Sequence, residues 1–144
     1  MENLILGGVG ERMLTGAPLS KTEMTMAQAL TAPDPAVIDD KTLRGFRLFA
    51  ESQGEDLQAL AACSQGAGAP LDLDGLWGLG LPTLVVAGGR DDISGDPQVL
   101  ADAIAGAKCV SLPNCDHFTA IPHALFKAAV FDFLEGWDEA PPFE

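Results

Sequence analysis

Two carboxylates and an imidazole stand at the ends of two apolar runs. In "LVVAGGRDDISGDP", Asp91 and Asp92 follow an apolar run and two glycines, and in "SLPNCDHF", His117 follows the next such run. An aspartate that accepts a hydrogen bond from imidazole Nδ1 fixes the tautomer and stabilises the imidazolium, leaving Nε2 free as general base. The chemistry served by such a pair is activation of a nucleophile. Either aspartate could serve, each being equally a loop residue that caps a turn, while His123, just after Pro122, reads as a surface or helix-capping residue. Asp91, Asp92, His117 and His123 together lack the spacing of a metal site, so no metal or other cofactor is expected. Cys115, two residues before His117, reads as an incidental thiol, because a nucleophilic cysteine usually meets its base across the fold.

For one of these aspartates and His117 to meet, both must leave strands of one sheet on the same edge. The pattern from residue 83 onward supplies this: strand Thr83–Ala87, helix Pro97–Ala105, strand Lys108–Leu112, then a helix from about Pro122 to Leu134. Asp96-Pro97 suits an N-cap with proline at the first helical position, and Gly106 a stop. All-apolar strands alternating with helices imply parallel pairing through right-handed crossovers, and loops at the strands' carboxyl ends then converge where ligands bind. Phe126, Val130 and Phe133 make the inward stripe of the last helix.

Upstream, the apolar run from Asn3 to Gly10 ends in Gly7, Gly8 and Gly10 and reads as a short strand, centred on Leu4 to Leu6 and buried on both faces. Residues 11–66 turn helical. "DPAVIDDKTLRGFRLFAESQG" sets Leu43, Phe46 and Phe49 at three-residue steps, with Arg44, Arg47 and Glu51 on another face; Asp34-Pro35 suits the helix start and Gly54 its end. A third helix is expected from Glu55 to about Cys63. A glycine-rich connection follows, in which Leu73, Leu76 and Trp77 form one apolar turn; Trp77 and Trp137 read as packing anchors.

The 144 residues suffice for one domain with a core, and 47% hydrophobic content argues against disorder. A formal charge of −13 repels polyanions, so neither nucleic acid nor an anionic membrane is an expected partner. Three cysteines without a C-x-x-C pair suit a reducing compartment, and the N-terminus has neither a basic region nor a long apolar run. A cytoplasmic protein is expected.

The segment "LPTLVVAGGRDDISGDPQVLADAIAGAKCVSLPNCDHFTAIPHALFKAAVFDFL" resembles the C-terminal part of an α/β-hydrolase-fold protein, with P-x-L-V-V-x-G-x-x-D, a helix, "GA" leading into a strand, "LP…H" and a last helix. "LILGGVGERML" is similar to the strand that follows the nucleophile's helix in that family, and residues 11–66 resemble its helical cap. The resemblance implies an α/β fold with a short parallel sheet of about three strands, flanking helices and a cap segment. It maps the family's acid onto Asp91 and its histidine onto His117, and it implies a small-molecule substrate with an ester-like or related bond. One departure matters: the nucleophile elbow G-x-S-x-G and the loop that supplies oxyanion donors are absent. Two serines fit a relaxed A-x-S-x-G, Ser52 in "AESQG" and Ser64 in "ACSQG", but both follow helical segments, not the strand an elbow needs. The sequence therefore reads as the acid-and-base half of a hydrolase, inactive alone. The rival reading is a non-catalytic module that self-associates as a homodimer, because a first strand without an outer neighbour leaves ladder groups open.

Overall fold

The computed structural model describes residues 2–66, 73–78 and 80–136, with the side chains of Leu73, Leu76 and Trp77 outside that description, as is Trp137. The chain divides into two compact units, Met1–Gly16 with Leu71–Glu144 and Ala17–Pro70.

The first unit is built on three parallel strands, β1 (Leu4–Gly7), β2 (Thr83–Gly88) and β3 (Lys108–Leu112), in spatial order β1-β2-β3. Leu4 lies opposite Thr83 and Leu84 opposite Lys108. β2 is central and buried along its whole length, which explains why its sequence is apolar without alternation. Successive side chains leave a strand on opposite faces. Leu84 and Val86 pack with Leu112, Ala120 and Phe133 on one face, while Val85 packs with Leu100, Ala101 and Ile104 on the other. This is the short parallel α/β sheet that the sequence predicts.

Among the described residues this unit holds the helices α1 (Arg12–Thr15), α5 (Leu73–Gly78), α6 (Pro97–Asp102) and α7 (Ala124–Glu135). Asp96 caps α6, its carboxylate accepting the Gln98 N–H at 2.8 Å, with Pro97 at the first helical position. α6 ends at Asp102, short of the expected Ala105, because the chain tightens into successive turns that Gly106 closes at φ +74°. α7 starts two residues later than expected. His123 is its N-cap, with Nδ1 accepting the Leu125 N–H at 3.2 Å. Phe133 is buried in α7, with Phe126 and Val130 packed against the same cluster.

The second unit holds α2 (Met26–Thr31), α3 (Lys41–Gln53) and α4 (Leu57–Gly66). Thr25 and Gln28 form a capping box at the start of α2. Two expectations are corrected here. The single helix expected from Asp34 is broken: Asp34 caps a 3₁₀ turn at Pro35–Val37, and a second carboxylate, Asp40, starts α3 by accepting the N–H groups of Thr42 and Leu43. Arg47 lies on the buried face of α3 with Leu43 and Ala50, not on a separate charged face. Its Nη1 donates to the carbonyls of Ala29, Leu30 and Ala32 at 3.2, 2.8 and 2.7 Å, and its guanidinium pairs with Glu51 at 2.8 Å. A cation at a helix C-terminus satisfies orphan carbonyls that apolar side chains could not. Among the described residues, no helix is long and apolar enough to cross a membrane.

Candidate active site

β2 delivers its carboxyl end into a loop that can follow its course only with glycine. A Cβ at Gly88 would collide with the Cys115 carbonyl and stand 2.9 Å from the Asp116 carbonyl oxygen. Gly89 N–H donates to Leu112 O at 2.7 Å and Arg90 N–H to Cys115 O at 2.8 Å. The loops leaving β2 and β3 are thereby stitched together, backbone to backbone, immediately before Asp91 and His117.

The stitching brings the two expected residues into contact: His117 Nδ1 lies 2.8 Å from Asp91 Oδ2. Asp91 is 5% exposed, and its other oxygen, Oδ1, accepts the N–H groups of Ile93 and Ser94 at 2.9 Å each. Burial pushes the Asp91 carboxyl up, but the hydrogen bonds from His117 and Ser94 outweigh it and hold the group below the ordinary carboxylate value. A carboxylate held ionised is an acceptor only, so the ring donates from Nδ1 and Nε2 carries the lone pair in the neutral ring. Ser94 Oγ is buried without a hydrogen bond of good geometry, although it lies close enough to Asp91 to help lower that carboxyl.

His117 is held from several sides. Asp116 Oδ1 accepts the N–H groups of Phe118 and Thr119 at 3.1 and 2.8 Å and the Thr119 hydroxyl at 2.7 Å, folding the histidine loop into a tight turn. Those Thr119 bonds, the largest influence, hold the Asp116 carboxyl below its ordinary value. The Phe118 ring meets the imidazole edge-on at 5.6 Å. Gly8, with φ +67°, passes beside the ring, where an added Cβ would sit 3.6 Å from His117 Cε1.

The neighbouring candidates do not join the pair. Asp92 is exposed. The buried Cys115 donates its thiol to Pro113 O at 3.4 Å. Ser52 and Ser64 lie within α3 and α4, and each hydroxyl donates to the carbonyl three residues back in its own helix, Phe49 and Ala61, at 2.7 and 2.8 Å. Neither stands at a strand-to-helix turn. Among the described residues, no three of the His, Cys, Asp and Glu side chains gather as a metal site. A cavity of about 470 Å³ lies beside Asp91, between the β2 loop and Ser111, and the imidazole does not line it.

Sequence reasoning took Gly8 and Gly10 only as the end of an apolar run and passed over Arg12, Ser94 and Asp116. The signal for Asp116 was present, since "DHFT" has the Asp-x-x-Thr form of a side-chain-capped turn. Arg12 and Ser94 are 82 residues apart in sequence, and no local pattern joins them.

The chain has an α/β-hydrolase-like fold. It is similar to the crystal structure of a hydrolase from Pseudomonas aeruginosa PA01, with TM-score 0.56 and 23% identity over 92% of this chain and 55% of that one. It is also similar to a serine hydrolase involved in carbazole degradation, the CarC enzyme, with TM-score 0.53 and 20% identity over 94% of this chain and 54% of that one. The chain thus spans about half the length of the solved structures it matches. No family model matches the sequence, and no curated protein matches it.

Proposed function

We propose that this chain supplies the acid and the base of a serine-type hydrolase, Asp91 and His117, to a nucleophile carried outside its described residues. The observation that supports this reading is the 2.8 Å contact between His117 Nδ1 and the buried Asp91 carboxylate at the carboxyl edge of a parallel sheet. In the assembled enzyme, His117 Nε2 takes the proton of a serine hydroxyl as the oxygen attacks an ester-like carbonyl. The imidazolium then protonates the leaving group, and water, activated by the same nitrogen, releases the acyl group. Residues 11–66 take the part of the helical cap, as the family resemblance implies, and the setting is cytoplasmic, which three cysteines without a C-x-x-C pair favour.

The test uses a fluorophosphonate and intact-mass spectrometry. The chain alone is expected to take up no adduct. A chimera that joins it to the portion of the CarC serine hydrolase it does not match is expected to label once, on a serine of that portion, and to hydrolyse p-nitrophenyl esters. A His117-dependent adduct on Ser52 or Ser64 of the isolated chain would overturn the proposal.

A second reading, a self-associating module, is favoured by β1. This strand pairs only with β2 among the described residues, and Leu4, Ile5 and Leu6 are only half-buried. Leu125, Phe131 and Leu134 of α7 are also exposed. Open ladder groups beside apolar surface favour pairing with a second copy, so a homodimer is expected for the isolated chain. Sedimentation equilibrium checks this, and a protease-resistant monomer at all concentrations would refute it.

A further inference from the structure

Asp91 is nearly buried, and His117 Nδ1 takes its Oδ2 at 2.8 Å. Its Oδ1 is held by two N–H groups, those of Ile93 and Ser94, each at 2.9 Å. Each N–H belongs to a peptide group whose carbonyl is that of the preceding residue. Arg12 binds both of those carbonyls, donating from Nε to Ile93 O at 2.5 Å and from Nη2 to Asp92 O at 3.3 Å. The same two peptide groups are therefore bonded at both ends, with a carboxylate at the N–H and a guanidinium at the C=O.

The segment carrying Arg12 lies flush against the acid loop. Arg12 N–H donates to Ser94 O at 3.1 Å and Glu11 N–H to Asp96 O at 3.0 Å. Gly10 permits this approach, since a Cβ there would stand 2.7 Å from Gly95 O and 2.9 Å from Ser94 O. A hydrogen bond at an amide carbonyl polarises the group and strengthens its N–H as a donor, and such chains are cooperative by roughly 10–30% per bond.

We propose that Arg12 is a positioning residue for the Asp91–His117 pair, acting through the 92–93 and 93–94 peptide groups to orient and polarise the two N–H donors that hold Asp91 Oδ1. This rests on the reading of Asp91 as the acid partner of His117. The arrangement solves a geometric conflict. An arginine bound directly to the carboxylate in bidentate fashion would take both oxygens. Two peptide groups instead carry its influence to Oδ1 and leave Oδ2 for the imidazole. The lowered Asp91 carboxyl, despite its burial, agrees with this.

The test compares Arg12→Met and Arg12→Lys with the wild-type chain by NMR, reading the amide protons of Ile93 and Ser94 and the His117 ring nitrogens, with the Val85 amide as a fold control. In Arg12→Met both amide protons are expected to move upfield and to exchange about tenfold faster or more, while Val85 stays protected. Lysine keeps the charge but loses the planar fork, so Arg12→Lys is expected to restore one amide and not the other. Unmoved amides in a folded Arg12→Met would overturn the inference. If that variant loses Val85 protection, Arg12→Lys decides: one amide displaced supports the relay, and neither displaced overturns it. A wild-type His117 without a hydrogen bond at Nδ1 would instead sink the pair reading itself, so the two failures are distinguishable.

Discussion

Gly88→Ala is expected to destabilise the sheet-bearing unit by about 3 kcal/mol or more and to separate Asp91 from His117. The added methyl would meet backbone, namely the carbonyls of Cys115 and Asp116, and no rotamer can relieve such a contact. The Cys115 carbonyl is also the acceptor for Arg90 N–H, one residue before Asp91. Making room therefore means lifting the histidine loop off the acid loop, which breaks that hydrogen bond. Urea denaturation of Gly88→Ala beside Gly66→Ala measures the effect. An added Cβ at Gly66 has nothing within 4 Å, so that variant is expected to be neutral or slightly stabilised. Equal stability of the two variants would contradict the stitched-loop account.

Asp91→Asn is expected to lower kcat about 10⁴-fold in the esterase chimera without unfolding it, as the corresponding change does in Ser-His-Asp enzymes. The geometry shows why an isosteric change is so costly. The Oδ1 position accepts two N–H groups, so the asparagine oxygen must occupy it, and the –NH₂ group then faces His117 Nδ1. Two donors cannot share that contact, and the neutral ring is driven to carry its proton on Nε2, where a base must have a lone pair. His117→Ala removes the base outright. The double variant should be no worse than the more damaging single one, because the two residues act as a unit. Losses that multiply would show that Asp91 and His117 work separately.

The sheet was legible chiefly at β2, whose burial on both faces leaves an apolar run ended by glycines; β1, read as buried on both faces, is only half-buried, and β3 carries Lys108 and Ser111. That an aspartate and His117 share one edge followed from parallel topology, and the choice of Asp91 over Asp92 came from the family resemblance. The helical segment was read less well. Hydrophobic period treats arginine as surface, whereas Arg47 is buried because helix-end carbonyls need a donor there. Asp34 and Asp40 are equally good caps, and only tertiary packing of the buried Ile38 between them decides that the chain restarts at the second. The support behind Asp91 was illegible for a different reason. Arg12 and Gly10 act on carbonyl groups of a distant loop, and backbone acceptors have no residue type to betray them.

Asp91 fixes the tautomer of the neutral His117 ring and leaves Nε2 bare. ¹⁵N NMR of that ring is the decisive measurement. In the neutral ring the proton is expected on Nδ1, in a strong hydrogen bond that Asp91→Asn abolishes. A proton on Nε2 in the wild-type neutral ring, or a spectrum unchanged by Asp91→Asn, would contradict this tautomer assignment.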